Sequence, residues 1–352
     1  MKRLLKKLLS SRKTKEFAYA TLCALGVDHR FRKYFADRLL IVMYHGLVED
    51  HSPSPPSWLL LSVSRFEAQM HYLKSNYDVI SVGEALQRMQ EGRPFTRPTA
   101  CITFDDGYRN NYTLGWPILR RHGLPATIYL ASDFIDTDRV IWTIRLERML
   151  LMGNGTLDLS DFDLGEYSLN PALRCSWECS CDRLKGALYR MAEESREEVL
   201  EAISRRLGLG DLGAFSDFLP MTWSDARRMA EEGLVEFGGH TANHVVVSAL
   251  GDEAQEDEIR QSMTTLEREI GVPPLSFAYP NGSEEDFDDR AKAVVRETSA
   301  LGALSTIEGL NSPGEDMYAL KRISVGGEMT LSRFRLLASG FIPMMRRCLL
   351  NR

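Results

Sequence analysis

No hydrophobic run in the 352-residue sequence is long enough to cross a bilayer. The longest uncharged apolar-rich stretch near the start, Phe17–Val27, falls well short of the ~20 residues a spanning helix needs. After its basic n-region it could imitate the core of a secretory leader, but Glu16, modest hydrophobicity and the lack of a clean small-residue cleavage site weigh against that expectation. There is no internal repeat and no low-complexity tract. Of six cysteines, three crowd together as Cys175, Cys179 and Cys181, without the paired Cys-x2-Cys spacing of common zinc modules. Reduced thiols packed within their own segment are the expectation, which leans towards an intracellular setting. Histidine is scarce at seven, and none follows His244.

Acidic residues are missing from residues 331–352, which carry five arginines, and rare in residues 1–38, which carry eleven Lys/Arg against three acids. With a formal total of −6, ends of +8 and +5 leave the middle at −19. An acidic body with basic ends opposes nucleic-acid binding and suits an anionic membrane face, with two solvated basic helices as the alternative. Leu4, Leu5, Leu8 and Leu9 lie at helical spacing among Lys2, Arg3, Lys6, Lys7, Arg12 and Lys13, and Phe334–Leu350 repeats that mixture. The expected location is the cytoplasm, with peripheral contact at the inner membrane face; secretion is disfavoured.

What is present starts with Cys101-Ile102-Thr103-Phe104-Asp105-Asp106-Gly107-Tyr108, an apolar β-favouring run ending in two carboxylates and a glycine. Adjacent aspartates at the mouth of a buried strand repel and cost desolvation unless a cation or a chemical task relieves them. A solvated Asp-Gly turn is the bland alternative. A second strand-like run, Leu234–Phe237, stops at Gly238-Gly239 and is followed by His240-Thr241-Ala242-Asn243-His244. An Asp-His-His set offers three ligands and leaves positions open for water, the layout of a catalytic metal site.

Thr103-Phe104-Asp105-Asp106-Gly107 with His240-Thr241-x-x-His244 resembles the first two motifs of the polysaccharide deacetylases, the NodB-homology enzymes of carbohydrate esterase family four. Phe277-Ala278-Tyr279-Pro280-Asn281-Gly282 resembles a variant of their third motif, with Tyr44-His45 and Arg322 as supporting matches. The likeness spans roughly residues 39–135 and 220–328. It implies Asp106, His240 and His244 as ligands of one divalent metal, zinc with cobalt or manganese as alternatives, and Asp105 as general base. It implies the Asn281 backbone N–H as an oxyanion partner. Two departures stand out. Ala278 occupies the place of an arginine that often buttresses the catalytic aspartate, leaving Arg322 as the candidate to supply that charge. The family's late histidine acid is absent; His45, after the first strand, is the candidate replacement, with a structural histidine there as the alternative.

The resemblance implies removal of N-acetyl, or O-acetyl, groups from an amino-sugar glycan or lipid-linked saccharide. Trp58, Trp142 and Trp177 are candidate sugar-stacking faces. A non-catalytic glycan-binding relative is the main alternative. A metal phosphohydrolase reading lacks its phosphate-cradling glycine loop and spaced carboxylates.

Strand-like runs alternate with amphipathic ones: Leu39–Met43, Phe66–Asn76, Thr99–Phe104, Asn111–His122 and Ala126–Leu130. The alternation resumes with Trp223–Glu232, Val235–Phe237, Glu253–Ile270, Ser276–Tyr279, Phe287–Thr298 and Leu301–Leu304. That is β/α order and predicts parallel strands with helices outside; the resemblance sharpens it to a distorted (β/α) barrel with fewer than eight strands. The expected organisation is a basic amphipathic N-terminal arm (1–38), a barrel (39–330) and a basic C-terminal helix (331–352). The barrel is interrupted by an inserted, mostly helical segment at 136–219. That insertion is expected to hold one helix from about Asp182 to Leu207 and to roof the active-site face. His51–Pro56 reads as a proline-rich rim loop.

Overall fold

The computed structural model describes residues 12–52, 57–169, 174–189, 191, 193–209 and 213–350. Two compact units emerge: one of Met1–Thr137 with Pro220–Arg352, the other Asp138–Leu219. The proline-rich Pro53–Pro56, the leucine-spaced start of the chain and the Trp177 side chain lie outside the described residues.

The first unit is a closed parallel barrel. Its strands are β1 (Leu39–Tyr44), β5 (Thr99–Phe104), β6 (Ala126–Leu130), β9 (Val235–Gly239), β10 (Ser276–Ala278), β11 (Gly302–Glu308) and β12 (Leu320–Ser324). They pair in that order, and β12 returns to β1 through Val42↔Ile323, giving seven strands. Three short strands lie outside the ring: β2 (Gly46–Val48) and β3 (Leu60–Ser62), which pair together, and β4 (Asp78–Val79). β6 meets β5 only at Thr103 and Phe104, and β4 takes the lower part of β5 at Thr99 and Ala100. This uneven seam is where the barrel departs from regularity.

Strands β1, β5 and β6 are buried along their whole length, as parallel strands covered on both faces must be. Alternate residues divide the core. Leu39, Ile41, Cys101, Tyr129, Ala278, Leu304 and Leu320 form one cluster, closed by Val82, Ala85 and Leu86 of helix Val82–Gln90. That helix, which the sequence alternation omits, is anchored from inside the ring: Glu236 on β9 accepts from Ser81 Oγ at 2.5 Å and Gly83 N at 2.9 Å. A carboxylate at a helix N-terminus satisfies donors that have no partner within the helix. The opposite set, including Leu40, Val42, Ile102, Phe104 and Ile128, packs against the surrounding helices.

The predicted run Asn111–His122 begins as a π-helical turn, Asn111–Gly115, before helix Trp116–His122. Among the described residues, the basic N-terminal segment forms helices Arg12–Ala24 and Val27–Tyr34, packed on helix Leu331–Ala338 rather than extending as an arm. The C-terminal basic segment is two helices, Leu331–Ala338 and Phe341–Leu350. Between them Gly340 adopts φ 82°, and a Cβ there would lie 2.8 Å from both Leu310 and Phe35.

The second unit contains helix Trp142–Met152 and an antiparallel pair, β7 (Thr156–Asp158) with β8 (Glu166–Ser168). The single helix expected over Asp182–Leu207 is corrected to two, Arg174–Leu188 and Glu193–Arg206. Both pack on Trp142–Met152, which one straight helix could not allow. Leu188 and Val199 are eleven residues apart, close to three helical turns, so the apolar pattern stays in phase across the break and conceals it. Among the described residues no disulfide forms; Cys179 is exposed and Cys181 buried on the same helix.

Candidate active site

The chemistry-bearing residues gather where parallel strands end. Asp105 and Asp106 follow β5, His240 follows β9, His45 follows β1, and Asn281 lies three residues past β10. Barrels of this type build their sites at that C-terminal end.

Local backbone there is forced. Gly107 takes φ 71°, with no room for a side chain: a Cβ would sit 2.5 Å from Leu130 Cδ2. Gly239 lets β9 lie close to its neighbours, since a Cβ would meet Phe277 at 2.8 Å and Met263 sulfur at 2.7 Å. Four of the six non-glycine residues with positive φ among the described residues are Asp106, Thr241, His244 and Asn281. For β-branched Thr241, φ 58° is a true outlier. Such backbone persists only where the surroundings hold it. Here Glu258 of helix Asp252–Ile270 accepts from Asn243 N at 2.8 Å and Asn243 Nδ2 at 3.0 Å. Its carbonyl accepts from Ala242 N at 3.1 Å.

Asp106, His240 and His244 converge, with their ligand atoms all within 4.8 Å of one another. Asp106 Oδ1 lies 3.1 Å from His244 Nε2 and 3.5 Å from His240 Nε2. Oδ2 accepts from the Tyr108 hydroxyl at 2.6 Å. Oδ1 is buried and without a hydrogen-bond partner. His240 Nδ1 is 2.6 Å from the Ala278 carbonyl, which can only accept, so Nδ1 carries a proton and Nε2 is the nitrogen that faces Asp106. Burial alone would raise the Asp106 carboxyl, but the His244 charge and the closeness of both imidazoles hold it well below the usual range. Conversely, burial would lower His240, and Asp106 with Asp105 raises it. Two imidazole nitrogens and one orphaned carboxylate oxygen fit a divalent cation.

Asp105 belongs to a different pair. Arg322 on β12 forks it, with Nη1 to Oδ1 at 2.6 Å and Nη2 to Oδ2 at 2.8 Å. Arg322 Nε donates to the Ser305 carbonyl at 2.7 Å, and both members of the pair are buried. Burial pushes the Asp105 carboxyl up, but the charges of Arg322 and His240 win and lower it. Arg322 thus brings a positive charge to Asp105 from β12, which only β1 separates from β5 in the ring.

His45 is half-buried, its ring edge-on to Trp58 at 5.3 Å and its Nδ1 without a hydrogen-bond partner. Burial lowers its pKa against the opposing pull of Asp106 and Asp105. For Asn281 the structure fixes the backbone, with φ 57° and a carbonyl accepting from Thr306 Oγ1 at 2.5 Å. Three supporting residues escaped the sequence reading. Tyr108, two residues after Asp106, carried a local signal; Ser305 and Glu258 act across elements and carried none.

A model of the polysaccharide deacetylase family matches residues 92–301, more than half of the chain. The chain belongs to the polysaccharide deacetylase family. The putative polysaccharide deacetylase YxkH of Bacillus subtilis is 21% identical over 298 residues, covering 84% of this chain and 75% of that protein. The poly-beta-1,6-N-acetyl-D-glucosamine N-deacetylase of Escherichia coli is 29% identical over 91 residues, 26% of this chain but only 13% of that one. Among solved structures, the Streptococcus pyogenes deacetylase PplD in complex with acetate superposes with a TM-score of 0.56 at 16% identity. That match covers 86% of this chain and 98% of PplD, and shows a shared fold.

Proposed function

We propose that this deacetylase is a metal-dependent hydrolase that removes N-acetyl groups from an amino-sugar glycan. The observation that carries the reading is the buried, partnerless Oδ1 of Asp106 facing two imidazole nitrogens. Asp106, His240 and His244 would hold the ion, with zinc the best match to two imidazoles and a carboxylate, and cobalt or manganese the alternatives. When bound, the ion supplies Lewis acidity and a water acidic near neutral pH.

The protein's own groups do the rest. Asp105 takes the proton from the attacking water. Its fork to Arg322 keeps it ionised and fixes its plane, and each oxygen retains a lone pair for water. The Asn281 N–H is the proposed donor to the developing oxyanion. His45 is the proposed source of the proton for the leaving amine; its lowered pKa makes it a stronger donor once protonated. Trp58, 53% exposed beside His45, offers an aromatic face to a sugar ring.

The substrate class rests on the family and on the printed activity of the Escherichia coli relative: a polymer, or lipid-linked saccharide, containing N-acetylated or O-acetylated amino sugar. The deciding experiment measures bound metal and acetate release from N-acetylglucosamine oligomers, for wild type, Asp106→Ala and His244→Ala. One tightly held divalent ion in wild type, lost with activity in both variants, is expected. A wild type that takes up no ion after zinc reconstitution would overturn the reading in favour of a glycan-binding relative. His45→Ala should lose rate and keep metal; an unchanged rate removes His45 from the mechanism.

A further inference from the structure

We propose that the helices from the two ends of the chain form one docking surface for an anionic lipid membrane. The inference does not depend on the deacetylase chemistry. Helices Arg12–Ala24 and Val27–Tyr34 pack on Leu331–Ala338, and Phe341–Leu350 packs on Val27–Tyr34. Named contacts join them: Arg335 Nε to Asp28 at 2.9 Å, Cys23 Sγ to the Ser332 carbonyl at 3.3 Å, and Phe31 against Phe341 with ring centroids 5.0 Å apart. Two basic segments separated by most of the sequence thus become one layer.

That layer concentrates charge of one sign. Residues 12–38 carry seven Lys/Arg against three acids, and residues 331–350 carry four arginines and no acid, in a chain whose formal total is −6. Two of the three acids are already engaged, Asp28 with Arg335 and Glu16 with Thr330. Among the described residues, Lys13, Lys15, Arg30, Lys33 and Arg347 are exposed and make no ion pair. Elsewhere on the barrel, surface arginines such as Arg88, Arg120 and Arg260 are paired.

The same helices expose apolar side chains. Of the nine large hydrophobic residues exposed among the described residues, five belong here: Phe17, Leu25, Tyr34, Leu331 and Met345. Lys13 and Phe17 are four residues apart and share a helix face; Lys33 adjoins Tyr34, and Met345 lies two residues from Arg347. Unpaired cations interleaved with exposed aromatic and aliphatic groups match a lipid interface, where rings enter the headgroup region and long basic side chains reach phosphates. A nucleic acid would meet the cations but leave the apolar groups in water, and the acidic remainder of the chain would repel it.

The test is flotation of full-length protein with phosphatidylcholine vesicles, with and without phosphatidylglycerol. One variant carries Lys13→Gln, Lys15→Gln, Arg30→Gln and Lys33→Gln together; a second carries Phe17→Ser and Leu25→Ser. All six positions are exposed, and unchanged thermal midpoints and far-ultraviolet circular dichroism verify folding. Wild type should float only with the anionic vesicles, and added salt should release it. Each lost charge should weaken partition about fivefold, the quadruple variant on the order of several hundredfold. The apolar variant should also bind more weakly at unchanged charge. Equal flotation of the quadruple variant, flotation with neutral vesicles, or retention on heparin without flotation would each overturn the proposal.

Discussion

Tyr108 illustrates how one hydroxyl orients a carboxylate. Its donation to Asp106 Oδ2 leaves Oδ1 for the imidazoles. Tyr108→Phe removes that donor from a buried acceptor, and partners of this kind commonly affect metal affinity 10- to 100-fold. We expect about that weakening of zinc affinity in a competitive chelator titration, with secondary structure unchanged by circular dichroism. Arg322 is the more consequential residue. Arg322→Met strands a buried carboxylate, which costs about 3–5 kcal/mol, and Arg322→Lys restores charge but not the fork. Urea unfolding should rank wild type above Lys above Met; equal stability of Met and wild type would refute the pairing. The sign of the pH effect follows from the lowered Asp105 carboxyl. Its folded form binds a proton less tightly than the unfolded chain, so the pair's stabilisation is complete above the unfolded value near pH 4. It is lost as pH falls through the lower folded value. Between pH 5 and 8 the pair contributes a constant amount, and the stability gap between wild type and Arg322→Met should narrow as pH falls below about 4, because burial favours the protonated Asp105 of the variant.

Among the elements, helix Trp223–Glu231 carries a complete capping box, Thr222 Oγ1 accepting from Asp225 N at 3.0 Å and Asp225 Oδ2 from Thr222 N at 3.1 Å. Thr222→Ala should cost about 1 kcal/mol, read as a lowered urea midpoint. Thiols report on element faces. Burial pushes Cys23 and Cys181 up to about 11, and Cys101 is raised well above its ordinary value. In a Cys175→Ser background, iodoacetamide at neutral pH should label Cys179 and Cys348 in the native protein and spare the other three. Labelling of Cys101 would contradict its place inside the ring. Strands β5 and β6 were legible to the residue, because each is a short apolar run between turn-forming residues. Helix Val82–Gln90 was not legible, since its capture depends on Glu236 from a distant strand. The same limit governs the site. The Asp, His and Gly spacings are local and readable, whereas the fork from Arg322 and the clamp from Glu258 are products of closure.

For the whole molecule, the second unit can be treated as an inserted module. Its flanks are held together by the barrel itself: Asp136 N donates to the Met221 carbonyl at 3.2 Å, Met221 N donates to the Gly107 carbonyl at 2.9 Å, and Tyr108 bridges to Pro220. Replacing Asp138–Leu219 with a short Gly/Ser linker should therefore leave zinc affinity intact. We propose that the segment selects substrate, so the same deletion should change relative rates across acetylated oligosaccharides; a change confined to stability would count against that role.

The ring is sealed by Val42↔Ile323, residues 281 positions apart. At the pace of protein synthesis, about 5–20 residues per second, β1 waits roughly 15 to 55 seconds for its last neighbour. During that interval a fully apolar strand edge is open, and Asp105 is a carboxylate without its guanidinium. Transiently exposed apolar surface and unpaired strand edges of this kind make a folding chain prone to aggregation. Because Arg322 arrives on the closing strand itself, the event that ends exposure on the ribosome is also the one that gives Asp105 its counter-charge.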